Sequence, residues 1–193
     1  MTSGMTAEMY LPHFVVKQKL TMMVNRYEVS ESDESGNPTR LMALAEQKRM
    51  AFKEQVTFFS DASKARAVFG FKARRKLDLN AGYDVTDETG AQIGFFRKDF
   101  GASLLRSTFH LEGPGFAGTG QERSLLVAIV RRFSDIPFLP IHFDFLSTEG
   151  RPLLGVERQG SVRDKYTVHV PDPRVDFRVA ASLAVALDAL MQR

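Results

Sequence analysis

The hydrophobic pattern near the end of the chain predicts a helix that has no polar face. Between residues 179 and 187 the only polar side chain is Ser182, and apolar residues and alanines cover the whole circumference. A helix on a protein surface keeps one polar face. Residues 172–193 are therefore predicted to form a central core helix, with Asp172 as its N-cap and Pro173 in its first turn.

Upstream of this helix, apolar and polar residues alternate with a period of two, which predicts strands. Gly, Asp, Asn and Pro separate the short runs. The candidate strands are residues 12–20, 22–29, 55–60, 67–77, 81–87, 91–98, 103–111, 124–132, 138–146, 152–158 and 165–170. The clearest hairpin is 83–96, where the turn at 87–90 ends in a glycine, the residue that tolerates positive φ.

A second helix is predicted over residues 38–53, with Asn37 as its cap. The residues that fall near one face of this helix are Leu41, Leu44, Ala45, Lys48 and Phe52. Their spacing is that of an amphipathic helix, with Lys48 as the one charged residue among them. This segment is therefore predicted to be an additional helix among the strands.

An all-apolar helix and many short antiparallel strands are reconciled by one architecture. A sheet that closes into a barrel has no free edges, and a barrel of about eleven strands is wide enough to enclose a helix. The fold class is therefore predicted to be mainly β, of the α+β type: a closed antiparallel β-barrel around the hydrophobic C-terminal helix. Residues 1–193 are predicted to form this single domain, because 44% apolar residues suffice for one sizeable core.

Composition and charge narrow the classes of protein. The chain has no Cys, which excludes disulfides, zinc-thiolate sites and cysteine nucleophiles. Its 25% charged residues and net charge of +3 argue against disorder and against a membrane-spanning class. The first eight residues lack the basic start and apolar core of a signal peptide, so a cytoplasmic location is expected. Peripheral attachment to the membrane is left open.

Three segments, together with the closing hydrophobic helix, resemble the LURP-one-related proteins. The segments are Gln55 to Asp61, Phe69 to Arg75 and Tyr83 to Lys98. Those proteins belong to one superfamily with the phospholipid scramblases and the Tubby C-terminal domain. The resemblance extends from about Phe14 to the C-terminus and implies a Tubby C-terminal-like barrel of about 12 strands, threaded by its C-terminal helix.

The resemblance also implies a role at membrane lipid. Tubby-like domains bind phosphoinositide head groups, and phospholipid scramblases act on phospholipids with calcium. The chain lacks the acidic calcium segment and the cysteine-rich palmitoylation stretch of scramblases, so scramblase activity is not expected. Because a shared fold is a weak argument for a shared function, the ligand has to be argued from the residues themselves.

Basic side chains are concentrated on the candidate strand 67–77 and on a later strand. On strand 67–77, alternate residues are basic on one face and apolar on the other. The predicted site for an anion or a lipid head group comprises Lys72, Arg74, Lys76, Arg97 and Lys98. Each cation near an anionic surface contributes about 1 kcal/mol of attraction. The alternative is that these charges only solubilise the outside of the barrel and protect strand edges.

Two further patterns contain the residue types of functional sites. Residues 113–118 match the G-x-G-x-x-G spacing of dinucleotide sites, but a polar segment rather than a helix follows, so a loop is predicted. His142 and Asp144 share one side of strand 138–146, and residues of these types can form a metal site or an acid/base pair. Structural hydrogen bonding is the favoured interpretation. Neither pattern is accompanied by a set of acid, base, nucleophile and oxyanion groups.

The sequence therefore predicts a domain that is not an enzyme and has no cofactor and no metal site. The first hypothesis is that its basic outer face binds an anionic membrane phospholipid or another phosphorylated ligand. The alternative is a protein-interaction scaffold that docks a protein partner on the 38–53 helix or on an exposed strand edge. Nucleic acid is not an expected partner. The nine uncharged residues of the C-terminal helix are too few to span a membrane.

Overall fold

The C-terminal helix lies inside a closed sheet. The computed structural model describes residues 9–20, 24–48, 55–75, 82–99, 107–124, 141–158 and 165–191. Within these ranges the chain forms twelve strands and one helix. The strands β1 to β12 are, in order, His13–Leu20, Val24–Ser32, Pro38–Lys48, Gln55–Phe59, Ala67–Ala73, Tyr83–Asp87, Gln92–Asp99, Thr108–Gly113, Phe116–Glu122, Ile141–Ser147, Pro152–Arg158 and Lys165–His169. The helix α1 is Phe177–Met191.

Each strand pairs antiparallel with its neighbours in the chain, and the first strand pairs with the last. In this closing pair, His13 of β1 lies opposite His169 of β12, and Lys17 lies opposite Lys165. The order of the described strands therefore closes on itself, with the shortest pairing between β3 and β4, at Leu44 and Ala45. The mainly β fold class predicted from the sequence, a closed antiparallel barrel of about twelve strands around a hydrophobic C-terminal helix, is confirmed.

The helix α1 fills the barrel. All side chains from residue 179 to residue 187 are fully buried. The wall turns aromatic side chains towards them, and Phe71 packs edge-on against Phe96 with 5.4 Å between ring centroids. Gly94 of β7 allows a close approach, because a Cβ at that position would lie 2.6 Å from Cγ2 of Val179. Wall and helix therefore share one dry core.

The helix begins later than the sequence predicts, at Phe177. Its N-cap is Asp176, whose Oδ1 accepts a hydrogen bond from the backbone N–H of Arg178 at 2.8 Å. Asp172, the predicted cap, instead accepts a hydrogen bond from the backbone N–H of Arg174 at 3.0 Å, in the turn before the helix. Both aspartates have the chemistry of an N-cap, and the path of the chain into the barrel decides between them.

Residues 38–48 form strand β3, so the helix predicted over 38–53 is wrong; residues 49–53 lie outside the described ranges. The segment is rich in Met, Ala, Leu, Glu, Gln and Lys, which favour a helix. In the barrel, however, β3 pairs with β2 along its length, and only an extended segment continues the wall here. Ala43 and Ala45 belong to the buried core, so small inward side chains make this strand resemble a helix in sequence.

Residues 116–122 form strand β9, where the sequence predicts a loop. Inward positions of β9 include Gly118 and Gly120, which lack the apolar side chains by which a strand is recognised. A Cβ at Gly120 would lie 2.4 Å from the ring of Phe145, so the glycine makes room for that ring. The strand predicted at 124–132 lies outside the described ranges except for its first residue.

Leu183→Ala should lower the free energy of unfolding by about 2–5 kcal/mol, because Leu183 is fully buried on α1 and the change leaves a cavity. Urea denaturation followed by circular dichroism measures the loss. The matched control is Leu146→Ala on β10, where Leu146 is 44% exposed and the expected change is within about 0.5 kcal/mol. Equal effects of the two substitutions would contradict the burial of α1.

Ser182→Ala should leave the stability unchanged or raise it. Ser182 is fully buried, and its Oγ has no hydrogen-bond partner among the described residues. A buried hydroxyl without a partner costs about 1–3 kcal/mol, and Ala has the higher helix propensity. The same urea experiment measures the change. A loss of more than about 1 kcal/mol would show that the hydroxyl makes a hydrogen bond in solution.

Candidate functional site

The sequence predicts a basic ladder of Lys72, Arg74 and Lys76, and its first two residues lie on the outside of the barrel. Lys72 is exposed on β5, and Arg74, also exposed, directly follows that strand. Phe69 and Phe71 on the same strand are buried in the core. The alternation expected from the sequence is therefore present over the described part of the ladder. Lys76, its third residue, lies outside the described ranges.

Arg97 and Lys98 occupy opposite faces of β7. Phe96 is fully buried, so alternation turns Arg97 outward, where it lies opposite His110 of β8. Lys98 has the inward parity of Phe96, and its Nζ lies 5.9 Å from the centroid of the buried Phe109 ring. The barrel wall therefore separates two cations that the sequence places in one site.

A groove with a volume of about 450 Å³ lies along the outside of β4, β5 and β6. The polar side chains of its lining include Gln55, Thr57, Lys72, Arg74, Asp84 and Thr86. Gly70, also in the lining, has no side chain that would fill the groove, and a Cβ there would lie 2.7 Å from the carbonyl oxygen of Val56. The wall therefore contains a polar depression beside Lys72.

Arg74 is held in place by Asp84 and Phe95. Its Nε donates a hydrogen bond to Oδ1 of Asp84 at 2.9 Å, and its guanidinium lies 3.9 Å from the centroid of the Phe95 ring. The hydrogen bond to Asp84 raises the pKa of Arg74 above its ordinary value. Nε2 of Gln92 also donates to Oδ1 of Asp84, at 3.0 Å. Arg74 is therefore a fixed cation whose charge Asp84 balances.

Lys72 is a cation of the groove that no described carboxylate balances. It lies opposite Asp84 in the register of β5 and β6, but Asp84 is already hydrogen-bonded by Arg74 and Gln92. Over the residues that the structure describes, no ion pair joins Lys72 to an acidic side chain. The ammonium group of Lys72 is therefore available to an anionic ligand.

The opposite end of the groove is acidic. Asp87 accepts hydrogen bonds from the backbone N–H and the hydroxyl of Thr89, at 2.9 Å and 2.7 Å. The bond from the hydroxyl is the main cause of the lowered pKa of Asp87. Oε2 of Glu88 lies 3.7 Å from a guanidinium nitrogen of Arg178. The groove therefore has a basic and an acidic end, and is not uniformly basic.

His142 and Asp144 share the outer face of β10, but different partners hold them. Asp144 accepts two hydrogen bonds from Arg123, at 2.7 Å from Nε and 2.6 Å from the terminal nitrogen. These bonds lower the pKa of Asp144. Nε2 of His142 lies 3.4 Å from Oε1 of Glu157. In the described part of the chain, no three His, Cys, Asp or Glu side chains are grouped to hold a metal ion.

The glycine fingerprint at 113–118 belongs to the hairpin that joins β8 to β9. Gly115 lies in its turn with φ of 79°, a conformation that favours glycine. The residues that follow, 116–122, are strand rather than helix. This hairpin therefore presents no helix N-terminus to a pyrophosphate group.

Strand pairing brings together two histidine clusters that the sequence does not predict. Nε2 of His110 lies 3.1 Å from Oδ2 of Asp99, and its Nδ1 lies 3.3 Å from Oγ1 of Thr119. His13 of β1 stacks on His169 of β12, with 4.6 Å between the ring centroids. Burial, and then the charge of His13, lowers the pKa of His169. The members of each cluster lie on different strands, so only the register of the sheet reveals them.

Comparison with known families adds one match. A family model described as LURP-one-related matches residues 42–188, which is most of the chain. None of the curated proteins and none of the solved structures matches the chain significantly. In the described residues, the helix is not long and apolar enough to cross a membrane.

Arg123→Gln should raise the pKa of Asp144 towards its ordinary value, because both hydrogen bonds from the guanidinium are lost. The folded-state pKa of Asp144 is lowered, so this ion pair stabilises the folded state at pH values above the ordinary pKa of 3.8. This contribution is lost as the pH falls through the lowered pKa. NMR titration of the Asp144 carboxyl measures the pKa. Arg151→Gln, which removes the partner of Glu149, is the control. An unchanged Asp144 pKa in R123Q would contradict the pairing.

Proposed function

Because the chain belongs to the LURP-one-related family, we propose that it is a non-catalytic domain that binds an anionic membrane phospholipid or another phosphorylated ligand in the groove of β4 to β6. The observation that supports the proposal is Lys72, a cation that no described carboxylate balances, beside a groove of about 450 Å³. Lys binds phosphate as a compact charge, and Arg binds it through directed N–H donors.

The groove offers two kinds of cation to a phosphate group. The ammonium group of Lys72 is carried on a flexible four-carbon stem and can follow the ligand. Arg74 is fixed by Asp84 and Phe95, and its bonds to Asp84 use Nε and one terminal nitrogen. A guanidinium has five N–H donors, so donors of Arg74 remain for phosphate oxygens. A mobile and a fixed cation would together hold the anionic group of the ligand.

The charges of the groove also favour one orientation of the bound ligand. Asp87 and Glu88 at the acidic end repel a phosphate, so the anionic group is expected at the end with Lys72. Between the ends, Thr57 and Thr86 can donate or accept hydrogen bonds. This arrangement favours a ligand with one anionic group and neutral polar groups. The proposed location is the cytoplasm, with reversible attachment to the membrane through the head group.

The protein-interaction alternative loses one of the two features on which it depends, the docking helix. Residues 38–48 are a strand of the barrel wall rather than a docking helix. Every described strand has a partner on both sides, but β3 pairs with β4 only at Leu44 and Ala45, so residues 38–43 keep an edge that β4 does not pair with. The groove has an unbalanced cation for a ligand, and the proposed function therefore rests on it rather than on this edge.

Lys72→Gln should weaken binding to anionic vesicles about fivefold, since one cation near an anionic surface contributes about 1 kcal/mol. Flotation with vesicles of phosphatidylcholine, with and without phosphatidylserine, measures the binding. Lys19→Gln is the matched control, because Lys19 is an exposed lysine on β1 that pairs with Glu28. Competition by a soluble phosphate ester distinguishes a free phosphorylated ligand from a lipid surface.

Three outcomes would contradict the proposal. Equal losses in K72Q and K19Q would assign the binding to net charge rather than to the groove. Binding to phosphatidylcholine alone would show that no anionic group is needed. Binding that does not weaken with salt would exclude electrostatic attraction to an exposed cation.

A further inference from the structure

The seam that closes the barrel has two stacked histidines on its outer face. His13 begins β1, His169 ends β12, and the two residues are directly opposite in register. Their rings are nearly parallel, with 10° between the planes and 4.6 Å between the centroids. Their neighbours Phe14 and Val168 are fully buried in the core, so alternation turns both histidines away from α1.

Two imidazoles at this spacing can reach one metal ion. Zn–N bonds are about 2.0–2.1 Å long, so two imidazole nitrogens on one tetrahedral ion are about 3.3 Å apart. The centroids of the His13 and His169 rings are 4.6 Å apart, and His169 is exposed. The lone pairs of the two nearly parallel rings lie in parallel planes, so the exposed His169 ring has to rotate about its side-chain bonds to direct one nitrogen from each ring at a common ion.

The surroundings of the pair leave coordination positions for water. Gly155 of β11 lies next to His169 in the sheet, and a Cβ at Gly155 would meet no atom nearer than 4.0 Å. Beyond Gly155, Asp144 faces outward and is bound by Arg123. The described residues therefore offer two nitrogen ligands, and the space beside His169 over Gly155 is open to water. The next outward residue across the sheet, Asp144, is already paired with Arg123.

We propose that His13 and His169 form a surface site for a divalent transition-metal ion, completed by water. Imidazole binds Cu²⁺, Ni²⁺ and Zn²⁺, whereas Mg²⁺ and Ca²⁺ prefer oxygen ligands. An ion held by both residues links the first strand of the barrel to the last. Since the ion binds the closed barrel through residues that are far apart in the chain, it stabilises the folded state.

Calorimetric titration of the untagged protein with CuCl₂, NiCl₂ and ZnCl₂ at neutral pH tests the proposal. Each ion is expected to bind, with Cu²⁺ the tightest. The melting temperature should rise as the ion concentration exceeds the dissociation constant, and MgCl₂ should have no effect. His13→Ala and His169→Ala should each weaken Cu²⁺ binding at least about tenfold, a loss that even outer-shell substitutions cause.

His110→Ala and His142→Ala are the matched controls, because each removes one imidazole from another part of the outer face. Retained Cu²⁺ affinity in H13A and H169A, or an equal loss in the controls, would overturn the proposal. Broadening of wild-type imidazole NMR signals by Ni²⁺ gives a test that needs no variant. Broadening confined to His13 and His169 is expected, and broadening elsewhere without these two would also overturn the proposal.

Discussion

The burial of α1 is the constraint on which the rest of the structure depends. Residues 179–187 have no polar face, and all of their side chains are shielded from water. A helix of this kind requires a wall on every side, and the twelve strands provide it by turning every second side chain inward. Pairing of β1 with β12 closes the sheet around the helix. Helix and wall therefore form one cooperative unit, because neither buries its apolar surface alone.

The same alternation decides where charges can lie. Because Phe71 faces α1, Lys72 faces away from it, and the same rule places Arg97 and Lys98 on opposite sides of the wall. Pairs across neighbouring strands then modify each charge, as Asp84 does for Arg74. A site on this barrel is consequently built from alternate residues of adjacent strands. The proposed metal site follows the same rule at the closing seam.

Two strands show where local sequence and tertiary structure disagree. In β3, Ala43 and Ala45 take inward positions. Their high helix propensity favours a helix in the local sequence, but pairing with β2 makes the segment a strand. In β9, Gly118 and Gly120 take the inward positions and leave no apolar alternation to detect, because large side chains from β10 and β11 fill that space. In β9 the inward residues are therefore small because of groups on other strands, which the local sequence does not show.

By itself, the sequence determined the buried helix, the mainly β closed fold and the outward position of Lys72, because each follows from the periodicity of neighbouring residues. The sequence indicates only part of the candidate groove. Lys72 and Arg74 are recognisable as outward cations, but their position beside Asp84 is not. Only the tertiary structure decided the extended state of residues 38–48, the balanced charge of Arg74 and the meeting of His13 with His169. These features depend on contacts between strands, and the register of strands far apart in the chain is not contained in local periodicity.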